Sequence, residues 1–200
     1  LLVGRTLLIT GGGTGLGRSM ALKCAGLGAK VAIVGRREEP LKATVGDIER
    51  AGGKATFASC DVKDSGSVRA AFDSIEGSLG PTNALINNAA GNFLCASEDL
   101  SDNAFDAVVK IVLYGTFNCT REIGRRLIER KAEGHVLSIV TSYATTGSAF
   151  VLPSASAKAG VLAMMRSLAV EWATYGIRLN AIAPGPFPTE GAFSRLMAGD

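Results

Sequence analysis

The stretch Thr10-Gly11-Gly12-Gly13-Thr14-Gly15-Leu16-Gly17-Arg18 has the residue types of a phosphate-binding turn. It follows a short apolar run and precedes residues 19–27, whose apolar spacing is helical. Such a turn needs glycine where φ is positive and where backbone must come close to a pyrophosphate, and the helix behind it offers free N–H groups and a partial positive charge. Gly11-x-x-x-Gly15-x-Gly17 in strand–turn–helix order points to a dinucleotide, with a merely tight glycine turn as the plain alternative. A second apolar run ends in Val34-Gly35-Arg36-Arg37, where a carboxylate for a ribose 2′-hydroxyl would be expected and none stands. Arg36 and Arg37, assisted by Arg18, can clamp a 2′-phosphate, which favours NADPH over NADH; otherwise they are solvated charges paired with Glu38 and Glu39.

Two more side chains have the chemistry for a reaction centre. Lys158 lies in Ser154-Ala155-Ser156-Ala157-Lys158-Ala159-Gly160, among small neighbours that suit the close approach of a ligand. Tyr143, in Thr141-Ser142-Tyr143-Ala144-Thr145-Thr146-Gly147, directly follows a strand-like run. The bland readings are a surface lysine and a packing tyrosine with a satisfied hydroxyl. Cys24, Cys60, Cys95 and Cys119 form no CxxC pair, and the one histidine, His135, has no partner at ligand spacing, so no metal site is expected.

The elements that must carry these groups alternate. Short apolar or β-branched runs at 6–10, 31–34, 55–58, 83–86, 135–140 and 178–183 are separated by helical patterns at 16–27, 40–51, 65–79, 101–130, broken near Gly115, and 153–175. That is the βαβ pattern, and it predicts a single domain over residues 1–200: a Rossmann-type, doubly wound parallel α/β sheet in three αβα layers. Right-handed crossovers put the crevice outside the carboxyl ends of the strands, at the switch point between the first and fourth. Every motif above falls at such a strand end.

Two hundred residues with 47% hydrophobic and 20% charged content can bury one sizeable core, which excludes disorder and fibrous repeats. A net charge of +3 is too small for a nucleic-acid partner, and no apolar run is long enough to insert in a membrane. The expected setting is the cytoplasm, or mitochondria or peroxisomes in a eukaryote.

Cys60-Asp61-Val62 after the third strand, Asn87-Asn88-Ala89-Ala90-Gly91 after the fourth and Pro184-Gly185-Pro186 after the sixth, together with the glycine turn, resemble the short-chain dehydrogenase/reductase family over essentially the whole chain. The resemblance implies that Gly11, Thr14, Gly15, Leu16, Gly17 and Arg36 hold NADPH, and that Asp61 accepts from the adenine. It further implies that Asn88 and Ala89 line the ribose side and that Pro184, Gly185, Pro186 and Phe187 embrace the nicotinamide. The family's usual tyrosine four residues before the lysine is replaced here by Ser154, and Val112 stands where a long helix commonly carries asparagine. With Tyr143, Gly91-Asn92-Phe93 and the run from Gly191 to Leu196, the sequence is most similar to the 2,4-dienoyl-CoA reductases of that family.

That similarity implies hydride transfer to a conjugated dienoyl thioester, giving a dienolate whose oxyanion needs positioned donors. Tyr143 and Asn92 would bond the thioester oxygen, Lys158 would hold the nicotinamide ribose, and Ser154 would bond cofactor or substrate. Phe93 and Ser101 fall where the family touches the acyl-CoA, and Lys63 and Arg195 offer cations for its phosphates; core packing for Phe93 and solvation for the two cations are the alternatives. The resemblance also implies a homotetramer and, beyond Asp200, a further strand and a substrate-covering segment. Two other functions compete: a carbonyl or 3-oxoacyl reductase that uses Tyr143 as its acid, and a protein that senses NADPH without chemistry.

Overall fold

A computed structural model of the chain describes residues 1–185. The expectations for Pro186, Phe187 and Arg195 lie outside the described residues. Six strands, β1 (Thr6–Thr10), β2 (Lys30–Gly35), β3 (Lys54–Ser59), β4 (Ala84–Asn87), β5 (Gly134–Ile139) and β6 (Ile177–Ile182), form one sheet in the order β3-β2-β1-β4-β5-β6. Every pairing is parallel. The adjacency of β1 and β4 puts the switch point where the strand pattern places it.

The β1 residues are all buried, because helices cover both faces of the sheet. Side chains alternate between two cores with period two: Leu7 and Ile9 join Val31, Ile33, Leu41 and Ile48 on one face, while Leu8 joins Val34, Phe72, Leu85, Val136 and Ile123 on the other. Helices α1 (Gly15–Gly26) and α2 (Glu38–Arg50) lie over the first face. The second is covered by α3 (Ser65–Leu79), α4 (Asp102–Val109), α5 (Gly115–Glu129) and a later helix. Asp64 caps α3, accepting from the backbone N–H of Gly66 at 3.1 Å and Ser67 at 3.0 Å.

The long helical pattern at 101–130 breaks near Gly115, as its sequence predicts, and the break is a π-turn at Lys110–Tyr114 joining α4 to α5. A Cβ on Gly115 would lie 2.6 Å from Val62, so glycine lets this helix sit down on the loop after β3. Thr116 Oγ1 donates to the Val112 carbonyl at 2.6 Å inside the turn, and Val112 is fully buried. Two further α-helices follow among the described residues, α6 (Tyr143–Thr146) and α7 (Leu152–Glu171). The single turn of α6 has no counterpart in the periodicity, being too short to show one; Gly147 at φ +72° ends it. No helix among the described residues is long and apolar enough to cross a membrane.

Candidate active site

The glycine turn leaves β1 over the carboxyl edge. Gly11 and Gly15 have φ of +67° and +53°, the left-handed region that a side chain disfavours. Gly12 and Gly17 are needed for a different reason. A Cβ on Gly12 would be 2.5 Å from Ile33, and one on Gly17 would be 2.2 Å from the Gly11 carbonyl. These two glycines therefore also serve packing of the turn against β2 and against itself, a reason beyond the positive φ and ligand approach that the sequence reading gives. Asn88 braces the turn, its Nδ2 donating to the carbonyls of Thr10 at 3.0 Å and Gly11 at 3.3 Å. Thr10 completes the brace: its buried hydroxyl accepts from the backbone N–H of Asn88 and of Ala89, both at 2.9 Å. Sequence reasoning missed Thr10, although a hydroxyl at the last position of an apolar strand is a signal of such a tie.

In front of that brace, Thr14 caps α1 without any side-chain hydrogen bond, and no acid stands in the helix's first turn. Thr14 and Gly15 are exposed and Leu16 is half-buried. The turn thus presents unsatisfied N–H groups and the positive end of a helix to whatever lies above it, which fits a pyrophosphate. At the end of β2, Arg36 and Arg37 are exposed and make no ion pair among the described residues, while Glu38 and Glu39 pair with Lys42 at 3.1 and 3.3 Å. The competing reading in which those glutamates neutralise the arginines is not what forms. Arg18 also has a partner in the protein: its guanidinium meets Asp47 of α2 at 2.5 Å, tying two helices together.

After β3, Asp61 accepts from the backbone N–H of Lys63 at 3.1 Å, and its carboxylate lies 3.4 Å from the Lys63 ammonium. Lys63 is therefore beside the adenine candidate, in contact with its carboxylate. Ser101 caps α4, accepting from Ala104 N–H at 3.3 Å, which accounts for a serine there on its own. Phe93 is half-buried and packs against the larger core. Pro184 and Gly185 follow β6 at the carboxyl edge. His135 lies at the other end of its strand, paired with Ala84, and burial holds its imidazole below the usual histidine range.

The reaction-centre candidates come together. Tyr143 opens α6 just past the end of β5, and its Oη accepts from Asn92 Nδ2 at 3.3 Å and exchanges a hydrogen bond with Ser154 Oγ at 3.2 Å. Asn92 sits on the loop after β4, 51 residues from Tyr143, and Ser154 in the first turn of α7, 11 residues from it, so both elements bring a polar group to the one phenol. The Asn92 Oδ1 atom is buried without a partner among the described residues, leaving an acceptor for a donor that is not part of this cluster.

Lys158 follows one helical turn after Ser154, on the same face of α7. It is 5% exposed, which rules out the surface-lysine reading. Its Nζ donates to the Ile139 carbonyl at the end of β5, and burial pulls its pKa down to about 8. A lysine in that setting carries a charge that burial penalises and no neighbouring carboxylate offsets among the described residues. Asn87 donates to Thr120 Oγ1 at 2.9 Å and to Ser138 Oγ at 3.2 Å, holding β4, β5 and α5 in register beneath the site.

Comparison with known proteins shows what the whole chain is similar to. The family model described as short chain dehydrogenase matches residues 5–195. An uncharacterized oxidoreductase of Caenorhabditis elegans is 54% identical over 98% of this chain, and a probable 2,4-dienoyl-CoA reductase, (3E)-enoyl-CoA-producing, of the same organism is 48% identical over 98%. The chain spans 64% of the length of each of those relatives. Among solved structures, a short chain dehydrogenase from Bacillus anthracis superposes with a TM-score of 0.89 at 44% identity, covering 93% of this chain and 75% of that one. A gluconate 5-dehydrogenase from Burkholderia cenocepacia, in complex with NADP and tartrate, gives 0.92 at 31% identity, covering 99% and 77%. With its sheet order, its glycine turn and this match in hand, the chain belongs to the short-chain dehydrogenase family of oxidoreductases.

Proposed function

We propose that this chain is the cofactor-binding and catalytic part of an NADPH-dependent 2,4-dienoyl-CoA reductase, acting in the breakdown of unsaturated acyl chains. The observation that carries the reading is the hydrogen-bonded series Asn92–Tyr143–Ser154 beside the buried Lys158. In this arrangement the phenol comes from the edge of the sheet and a serine occupies the helix position one turn before the lysine.

NADPH, when bound, would supply the hydride for the far end of the diene. What the chain's own residues must then do is hold the negative charge that arrives on the thioester oxygen. Tyr143 O–H and Asn92 N–H are two donors within bonding distance of each other, able to turn from one another onto one oxyanion. An enolate so held does not need immediate protonation on oxygen, because carbon takes the proton; this is why a serine suffices where an alkoxide product would demand a phenol. Ser154 keeps the phenol oriented. Lys158, with three N–H donors and one spent on Ile139, keeps two for the ribose hydroxyls and raises the local potential. Arg36 and Arg37 would select the 2′-phosphate. The homotetramer, and a cytoplasmic, mitochondrial or peroxisomal setting, belong to the same proposal.

The test is NADPH oxidation followed by absorbance with a 2,4-dienoyl-CoA and, separately, a 3-oxoacyl-CoA. Turnover of the dienoyl thioester alone is expected. Turnover of the 3-oxo substrate alone would make Tyr143 the acid of a carbonyl reductase, and tight NADPH binding with neither reaction would make the protein a sensor.

A further inference from the structure

Close in the chain to the reaction-centre residues stand large apolar side chains that are exposed. Leu94, two residues after Asn92, is 50% exposed, and Phe150, between Tyr143 and Ser154 in the chain, is 57% exposed. These two segments are joined: the backbone N–H of Cys95 donates to the Phe150 carbonyl at 2.9 Å. Leu152, which opens α7, is 42% exposed beside them. Phe150 also has φ +62°, a backbone conformation that non-glycine residues seldom adopt and that costs free energy at a bulky one. More than half exposed, the residue joins neither core cluster that could offset that cost. A strained, exposed aromatic next to a reaction centre is the pattern of a residue held ready for a ligand.

We propose that Phe150, with Leu94 across the Cys95–Phe150 backbone bond, is the surface that takes the acyl tail of the thioester and sets the preference for tail length. The inference rests on reading the site as one for acyl thioesters. The two ends of the carboxyl edge assign the occupant. Phosphates are matched by the glycine turn over β1 and by Arg36 after β2, whereas Leu94 follows β4, and Phe150 and Leu152 follow β5, in the segments that carry Asn92, Tyr143 and Ser154. A thioester whose oxygen meets Asn92 and Tyr143 has one apolar arm, and Leu94 and Phe150, exposed on the segments that follow those two donors, offer it apolar surface.

The binding of hexanoyl-CoA and decanoyl-CoA, measured by titration calorimetry on the wild type and on Phe150→Ala, Phe150→Gly and Phe150→Leu, tests this directly. Decanoyl-CoA should bind the wild type about tenfold or more tightly than hexanoyl-CoA, since its extra methylenes leave water. In Phe150→Ala and Phe150→Gly that preference should fall to about threefold or less with hexanoyl-CoA affinity unchanged, and Phe150→Leu should keep most of it. Phe150→Gly removes the backbone strain, so its melting temperature should hold or rise, which separates loss of the tail contact from loss of the fold. A wild type with no tail-length preference, or a preference that Phe150→Ala leaves intact, overturns the inference; in the second case a lowered melting temperature would show that the ring packs against the protein's own chain. Reduction of 2,4-decadienoyl-CoA is assayed in parallel. A Phe150-dependent preference without reduction would refute the reductase reading and leave the tail surface standing, and reduction without the preference would do the reverse.

Discussion

Over β1 the chain faces its ligand with backbone and with the lack of side chains, whereas past β5 it does so with a phenol, an amide, a hydroxyl and an ammonium drawn from three separate segments. The first region is rigid by exclusion, since Gly12 and Gly17 leave no room for a Cβ and Asn88 and Thr10 lock the turn from beneath. The second is rigid by mutual hydrogen bonding and contains buried groups without partners, Asn92 Oδ1 and Thr141 Oγ1 among them. Binding can be built from geometry alone, while chemistry needs polar groups left partly unsatisfied, and those cost stability.

Adding one methyl group to the first region gives the largest effect. Gly17→Ala puts a Cβ 2.2 Å from a backbone carbonyl that cannot swing away, so it should destabilise the fold by about 3 kcal/mol or more and remove dinucleotide binding. Thermal unfolding and cofactor titration read both losses; a variant that melts like the wild type would mean the turn yields, and the contrast with the second region would be lost. On the other side, Tyr143→Phe should leave stability and cofactor affinity nearly unchanged and lower kcat by about a hundredfold or more. An unaltered kcat would remove the phenol from the mechanism.

Lys158 sharpens the comparison through pH. With its pKa drawn from 10.5 to about 8 by burial, the folded protein gives up that proton more easily than the unfolded chain does. Between those two values the unfolded state binds more protons, so stability rises with pH across that window, and below pH 8 the buried charge is a standing cost. That cost is on the order of 3 kcal/mol before the lost bond to the Ile139 carbonyl is set against it. Lys158→Met should therefore melt higher than the wild type at pH 7, with the gap narrowing above pH 8, while losing activity. Catalysis in the wild type should decline over the same pH range as the ammonium discharges, opposite in sign to the change in stability. A wild type whose stability relative to Lys158→Met is flat from pH 7 to 10.5 would contradict the burial cost.

The smallest effect belongs to the arginines at the end of β2. Arg36→Ala should weaken NADPH by roughly 1 to 3 kcal/mol and leave NADH nearly unaffected, as measured by competitive titration. Equal losses for both nucleotides would return Arg36 to the role of a solvated surface charge.

The alternation of apolar runs with helical patterns was enough to locate six strands to within a residue or so, because a parallel sheet covered on both faces demands continuous hydrophobic runs. The glycine turn was legible for a related reason. Its constraints are local, so residue type and position in the chain carry them without help from distant segments. Arg18 was not: it is a free cation in the sequence and an ion-pair partner in the fold, because Asp47 reaches it only once α2 packs on α1. The break near Gly115 was legible but not its π-helical form at Lys110–Tyr114, and the single turn at Tyr143 was too short for periodicity.

Composition and order along the chain thus dictated the layers, the strand count and the dinucleotide turn, all of which follow from short-range sterics and from which side chains leave water. The meeting of Asn92 with Tyr143 and Ser154, the burial of Lys158 against Ile139, and the tie between Cys95 and Phe150 came into being only when β4, β5 and α7 were brought side by side. Hydrogen bonds between residues distant in the chain depend on a few tenths of an ångström in the packing of whole elements, and no spacing along a one-dimensional chain encodes that distance.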